Sequence, residues 1–205
     1  MNPFLRGHLM RFDPPTRLMH TSRLLVLFVL VEFSRVLIGR HWGLLPMFGF
    51  SILAVSQLQP RRKWTLTEKL YFAQTVPITI AIFSVMNLGA LRTIPSHWQA
   101  SLLLFATQMT WGFYQEAVYR GLLQSGLVGK FGSRAGILAS NLIFTFGPLH
   151  FYHFRASPLH WWIFTAIFTI GLYFALIFHR SGNIWIVGTM HGLGDWFIDG
   201  LGRSR

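Results

Sequence analysis

The chain has no cysteine and only six acidic residues among its 205. The absence of cysteine excludes disulfides and thiolate metal sites. Charged residues make up 12% of the sequence, against about 25% in a typical soluble domain, and 52% of the residues are hydrophobic. Several apolar runs approach the roughly 20 residues that cross a bilayer. The composition therefore predicts an all-α, polytopic transmembrane helical bundle.

The net charge of +12 arises from eighteen Lys and Arg against those six acids. A nucleic-acid-binding protein would gather its basic residues into one patch or stripe. Here they lie between the apolar runs, so the expected partner is the lipid bilayer and no nucleic acid is expected. The first 23 residues hold no isolated short apolar core, so no cleavable signal peptide is expected.

About seven spans are predicted, separated by breakers or charges. With the N-terminus inside, the inner segments hold eleven Lys and Arg and the outer segments five. This asymmetry favours an N-in and C-out orientation. We therefore expect a basic cytoplasmic tail over 1–23 and a single transmembrane domain over 24–205. The spans lie near 24–39, 42–58, 70–90, 98–125, 135–152, 160–178 and 183–199.

Ionisable side chains lie inside the later spans, although each costs about 2.5–3.5 kcal/mol near the bilayer centre. The first pair is Glu116 and Arg120, within QEAVYR. Their i, i+4 spacing places both on one helix face, where they can form an ion pair. A pair that only holds helices together and a functional pair are both consistent with this spacing.

The second place is FGPLH, where Pro148 should bend the helix and His150 should project from the distorted turn. An interfacial histidine is the alternative interpretation. The third place is HGLGD, where His191 and Asp195 are again spaced i, i+4. Gly192 between them favours close approach of another backbone or a substrate. Here the alternative is a histidine that packs between helices and is held by the aspartate.

These groups are predicted to lie at similar depth, so they can converge on one site. A glutamate, two histidines and an aspartate can shuttle protons or hold a metal. Glu116, His150 and His191 would be the ligands of a divalent ion such as Zn²⁺. The sequence has no His-Glu-x-x-His zinc helix, so a metal-free reaction without cofactors is favoured.

The three stretches, in this order, resemble the motifs of the CPBP family, also called the CAAX-protease and bacteriocin-immunity (Abi) family of intramembrane glutamic-type proteases. The family pattern is Glu-Glu-x-x-x-Arg, then Phe-x-x-x-His, then His-x-x-x-Asn or Asp. This chain has QEAVYR (115–120), FGPLH (146–150) and HGLGD (191–195). The protease-like core would span 98–199.

The resemblance implies proteolysis within the membrane by an activated water. Glu116 is then the acidic partner, and His150 assists the water. His191 with Asp195 forms the oxyanion side. Arg120 orients Glu116, and Phe146 packs against the site.

Two positions depart from the family pattern. Gln115 stands where the family usually has its first glutamate, and an amide cannot act as a base. Either Glu116 takes the base role despite Arg120, or the chain is catalytically impaired. The second departure is Asp195, which must be protonated or act through His191.

The expected function is therefore an intramembrane endopeptidase, a multi-pass protein of the bacterial inner membrane. Its substrate would be a peptide or protein at the membrane, such as a C-terminal sorting or anchor segment or a lipidated tail. The alternative is an impaired family member that acts as a membrane immunity or scaffold protein. A proton-coupled transporter is less favoured, because no pair of interrupted helices repeats across two halves.

Overall fold

The computed structural model describes residues 23, 26–31, 33–34, 37, 44–58, 63–86, 98–147, 150 and 160–200. Within these ranges the chain is helical and contains no β-strand, which confirms the predicted all-α class. Most of the predicted tail over 1–23 and Pro148 lie outside the described residues. The helices are α1 (Leu44–Leu58), α2 (Leu66–Met86), α3 (Trp98–Glu116), α4 (Ser125–Phe131), α5 (Ser133–Phe146), α6 (His160–Ser181) and α7 (Ile184–Asp195), with π-helical segments at Ala117–Gln124 and Trp196–Gly200.

These helices lie close to the predicted spans. The fourth predicted span continues as helix beyond residue 125, through the π-helical segment and α4 to Phe131. In the described part of the chain, one helix, Trp161–Ser181, is long and apolar enough to cross a membrane, with a mean hydropathy of 2.0. Leu44–Ser56 is a shorter apolar helix. The seven crossings and the N-in orientation therefore stay predictions.

The residue contacts divide the chain into two compact units. Among the described residues, one unit contains those from 118 to 182, and the other contains those from 23 to 117 and from 183 to 200. We call them the inserted unit and the main unit. The single domain predicted over 24–205 stays a prediction.

The main unit contains α1, α2, α3 and α7. Its α7 packs against α3 and α2, and α3 also packs against α1. Tyr114 is fully buried, and its ring contacts those of Phe28, Phe50 and Trp111 at centroid distances of 5.4 to 6.2 Å. This aromatic cluster supports the end of α3, two residues before Glu116.

The inserted unit contains α4, α5 and α6. Gly132 has a φ of +82° and separates α4 from α5. The two helices then pack so closely that a Cβ on Gly136 would lie 2.6 Å from Val128 Cα. Polar side chains connect α5 to α6, since Asn141 Nδ2 donates to the Phe168 carbonyl at 2.9 Å.

Candidate active site

The first predicted motif begins in the last turn of α3 and continues into the π-helical segment. Glu116 is fully buried, and α-helical geometry ends there, since the π-helical segment begins at Ala117. Single π-helical turns within α-helices occur frequently at functional sites. A π-helix bonds from i to i+5, so the four-residue spacing to Arg120 no longer corresponds to one regular turn. The proposed orientation of Glu116 by Arg120 stays a prediction.

Two glycines allow α3 and α7 to approach at backbone distance. A Cβ on Gly112 would lie 2.6 Å from Gly192 Cα, and a Cβ on Gly192 would lie 2.7 Å from Met109 Cα. Both distances are far below van der Waals contact, so neither position accepts a side chain without displacement of the helices. Small residues at such crossings are typical of membrane helix pairs. Glu116 lies one turn after Gly112, and His191 directly precedes Gly192.

This crossing brings together Glu116 and His191, two of the residues that the sequence singled out. Glu116 Oε1 lies 2.7 Å from His191 Nδ1. An ionised carboxylate only accepts hydrogen bonds, so we assign the proton to Nδ1. Nε2 is then the nitrogen that can accept a proton from a reacting group.

Asp195 lies on the other side of the imidazole. Its Oδ2 is 3.6 Å from His191 Nε2, which is too long for a hydrogen bond but close enough for charge stabilisation. Exposure rises along the three groups: the side chains of Glu116, His191 and Asp195 are 0%, 10% and 29% exposed. The imidazole is therefore more accessible from the Asp195 side than from the Glu116 side.

Gln115 occupies the position that departs from the family pattern. It is 9% exposed, and its Oε1 accepts no hydrogen bond from the described residues. A carbonyl-type oxygen can accept a proton in a hydrogen bond but cannot remove it from water. The amide therefore cannot replace a general base.

The second motif lies in the inserted unit. His150 is partly buried, and its Nδ1 lies 2.7 Å from the Phe144 carbonyl oxygen. Because a carbonyl only accepts, Nδ1 carries the proton, and Nε2 is again the accepting nitrogen. The imidazole also packs edge-on against the Phe144 ring, with centroids 4.8 Å apart.

Arg120 is fully buried in the same unit. Its Nη2 donates to the Gly171 carbonyl at 2.9 Å and lies 3.4 Å from Asn141 Oδ1. The guanidinium also lies over the Phe144 ring, 4.7 Å from its centroid. Arg120 therefore binds α6 and α5, a role that its spacing from Glu116 did not indicate.

Phe144 is an aromatic residue that contacts motif side chains in this unit, and the role predicted for Phe146 stays a prediction. Phe146 is 40% exposed and stacks on Phe164. Phe144 is 4% exposed and lies against Tyr119 as well as Arg120 and His150. The Phe-x-x-x-His motif points to Phe146, four residues before the histidine, whereas the contacts of Phe144, six residues before it, depend on the tertiary fold.

An apolar cavity of about 780 Å³ lies in the main unit beside this crossing. Met109 and Phe113 line it, and each also contacts a glycine of α7. The four hydroxyls that line the cavity all donate to carbonyls of their own helices. They belong to Ser51, Ser56, Thr107 and Thr110.

The comparisons with known proteins assign this region to a family. Residues 97–197 match the sequence model of the family described as type II CAAX prenyl endopeptidase Rce1-like. Residues 97–197 belong to this family. The match confirms the predicted resemblance to the CPBP and CAAX-protease group. It includes all seven predicted site residues: Gln115, Glu116, Arg120, Phe146, His150, His191 and Asp195. No curated protein and no solved structure matched the chain.

The Rce1-like family is a family of endopeptidases, so the motifs predicted from the sequence can be compared with the contacts above. The second glutamate position of the first motif, Glu116, holds the third-motif histidine. The aspartate of the third motif lies on the far side of that imidazole. Within the matched segment, Gln115 therefore lies next to a connected Glu116–His191 pair, with Asp195 beside the imidazole.

The arrangement of the His, Asp and Glu side chains also indicates whether this site fits a metal ion. Among the residues that the structure describes, no three His, Asp or Glu side chains are grouped closely enough to hold a metal ion. The 2.7 Å contact between Nδ1 and Oε1 is a hydrogen-bond distance and occupies two of the atoms that would be ligands. The side-chain geometry therefore fits a proton-transfer site better than a metal centre.

Proposed function

We propose that the chain is an intramembrane endopeptidase that hydrolyses a peptide bond of a membrane-associated substrate. The observation that carries this proposal is the buried 2.7 Å contact between Glu116 and His191, within a segment that matches a protease family. The substrate is a C-terminal sorting or anchor segment or a lipidated tail. We use as probe a fluorogenic prenylated peptide that ends in a CAAX sequence, called here the CAAX probe.

In the proposed reaction, His191 Nε2 takes a proton from a water molecule, and the resulting hydroxide bonds to the carbonyl carbon of the substrate. The carbonyl electron pair moves to oxygen, which forms the tetrahedral intermediate. Glu116 stabilises the imidazolium through Nδ1, as the carboxylate of a catalytic triad does. The imidazolium then returns its proton to the nitrogen of the leaving amine as the carbon–nitrogen bond breaks.

This assignment makes Glu116 act through His191, because the buried carboxylate is less accessible to water than the imidazole. It also gives Asp195 a role without protonation. An ionised Asp195 would repel an oxyanion directly, but at 3.6 Å from Nε2 it stabilises the imidazolium. The absence of a carboxylate at 115 then does not prevent the reaction.

His150 is proposed to assist the water or the developing oxyanion. We expect His150→Ala to lower kcat on the CAAX probe by about 100-fold, the effect of losing one positioned acid or base. The matched control is His179→Ala, which removes a half-buried histidine of α6 outside the motifs. Equal loss in both variants would show that His150 contributes only to folding of the unit.

The apolar cavity supports a hydrophobic substrate. Its hydroxyls are bonded within their own helices, so the cavity offers a hydrocarbon segment a surface free of unsatisfied hydroxyls. Burying one methylene group stabilises binding by about 0.8 kcal/mol. A substrate that arrives through the lipid can enter such a cavity without leaving an apolar environment.

Filling the cavity tests this substrate class. Thr110→Trp should raise KM for the CAAX probe about tenfold if the indole displaces two methylene groups, with little change in kcat. Leu102→Trp is the matched control, because this residue of α3 is 58% exposed and does not line the cavity. An unchanged KM in Thr110→Trp would remove the cavity from substrate binding.

The protein is proposed to be a multi-pass protein of the bacterial inner membrane, and the pattern of burial supports a position in a membrane. Glu116 and Arg120 are fully buried, whereas Leu103 and Trp161 are more than 70% exposed. Lipid accepts such apolar surfaces but not unpaired charge.

The starts of α2 and α7 are also in contact, through Glu68 and Asn183. Four predicted spans separate these starts, and an even number of crossings returns the chain to the same side.

A membrane immunity or scaffold protein is the second candidate, and the buried amide of Gln115 favours it. Such a protein would sequester a peptide without cleaving it. Its biological function would then survive in a His150→Ala, His191→Ala double variant. Loss of that function in the double variant, together with loss of probe cleavage, supports the protease.

A further inference from the structure

Glu68 is a buried acid that the proposed reaction does not use. It lies in the first turn of α2 and is 1% exposed. Its Oε2 accepts from both the backbone N and Oγ1 of Thr65 at 2.8 Å, and Thr65 Oγ1 accepts from the Glu68 backbone N at 3.2 Å. This reciprocal arrangement is a capping box, which satisfies the N-terminus of α2.

The second carboxylate oxygen of Glu68 contacts a different helix. Asn183 Nδ2 donates to Glu68 Oε1 at 3.2 Å, and Asn183 is fully buried. Its own Oδ1 accepts from Trp185 N at 2.9 Å, so Asn183 is the N-cap of α7. The Asn183 amide must therefore present its nitrogen to Glu68 and its oxygen to α7.

One carboxylate thus organises the N-termini of two helices, and α7 carries His191. Eight residues separate the cap from His191, or about 12 Å along the helix axis. Along this length α7 also contacts α3, where a Cβ on Gly188 would lie 2.6 Å from the Phe113 ring. A shift of α7 along its axis would break the 2.7 Å contact between Glu116 and His191.

We infer that Glu68 is a positioning residue, which fixes the axial position of α7 through Asn183 and thereby holds His191 against Glu116. This inference rests on the proposed function for its effect on catalysis. The hydrogen bond itself has a direction, because Glu68 only accepts and Asn183 Nδ2 only donates. That direction makes the inference testable with nearly isosteric substitutions.

Glu68→Gln and Asn183→Asp each disturb the pair while preserving size. In Glu68→Gln, two amide nitrogens face each other, unless Asn183 turns and gives up its cap of α7 or the glutamine turns and gives up the capping box. In Asn183→Asp, two carboxylates face each other in a buried position, which is unfavourable. In the double variant, the new glutamine donates to the new aspartate, which still caps Trp185 N. The hydrogen bonds described above are then restored, with the direction of one reversed.

The first measurement is steady-state cleavage of the CAAX probe by the full chain in vesicles. Each single variant should lower kcat by about 100-fold through misplacement of His191, with little change in KM. The double variant should recover most of the wild-type kcat. Lys69→Gln is the control, because it removes a charge from an exposed neighbour on α2 and should leave both constants unchanged.

The second measurement does not depend on activity. Histidine labelled with ¹⁵N in the ring gives an Nδ1–H signal for His191, which is assigned by its absence in His191→Gln. This signal should be lost or shifted in each single variant and return in the double variant. A general loss of stability would instead change the signals of all the histidines.

The outcomes separate the inference from the proposed function. Wild-type kcat and an unchanged His191 signal in Glu68→Gln would overturn the inference. The inference would also be overturned if the double variant recovered neither kcat nor the His191 signal. A restored hydrogen bond between positions 68 and 183 would then not be enough to position His191. If wild type cleaves no probe but the signal follows the expected pattern, the positioning role stands and the protease proposal fails.

Discussion

The Glu116→Gln variant is expected to cleave the CAAX probe about 10⁴-fold more slowly than wild type, with little change in KM. The amide keeps the shape of the side chain but cannot stabilise the imidazolium that forms on His191. Replacement of the carboxylate that orients a catalytic histidine has an effect of this size in a serine-protease triad. Single-turnover cleavage in reconstituted vesicles measures the chemical step directly.

A double-mutant cycle distinguishes action through His191 from independent action. If Glu116 acts through the imidazole, Glu116→Gln combined with His191→Gln is no slower than His191→Gln alone, because groups that act as a unit are not additive. If the carboxylate takes the proton from water itself, the two losses multiply. Wild-type activity in Glu116→Gln would exclude Glu116 from the reaction.

The Gly112→Ala variant is expected to lose both stability and activity. Its new Cβ would lie 2.6 Å from Gly192 Cα, so α3 and α7 must separate. Overpacking of this kind costs about 1–3 kcal/mol. The separation also lengthens the contact between Glu116 and His191, and a misplacement of about 1 Å can cost 100-fold in rate. Tm in detergent and kcat on the CAAX probe measure the two effects.

Gly49→Ala provides the matched control for this glycine. Gly49 lies within α1 in the same unit, and a Cβ there would meet no atom within 4 Å. This alanine should leave kcat unchanged and stabilise the helix by up to about 1 kcal/mol. If Gly112→Ala behaves like Gly49→Ala, the helix crossing tolerates a side chain and does not determine the site geometry.

The sequence predicted the helices well because charges and helix breakers separate its long apolar runs and mark where the helices end. It also identified Glu116 and His191, since ionisable groups within spans must face the protein interior. The structure brings these two residues into contact. The family resemblance, read from three short motifs, is confirmed by the match over 97–197.

Other features depend on contacts between distant segments, and the sequence gives no direct sign of them. Arg120 lies four residues after Glu116, but the amino-acid sequence does not reveal that its guanidinium donates to the Gly171 carbonyl. The π-helical segment after Glu116 changes the number of residues per turn and so weakens an argument from α-helical spacing. The Thr65 and Glu68 spacing indicates a capping box, but its connection to Asn183 requires the tertiary fold.

The inward bonding of the cavity hydroxyls has a consequence for selectivity. The hydroxyl groups of the cavity lining all donate to carbonyls of their own helices. Such a lining would distinguish bound hydrocarbon chains by their length and width, not by polar substituents. Discrimination among substrates would then come from the few residues around the scissile bond. The proposed protease would then accept many hydrophobic anchors and select among them by the short peptide that each one presents.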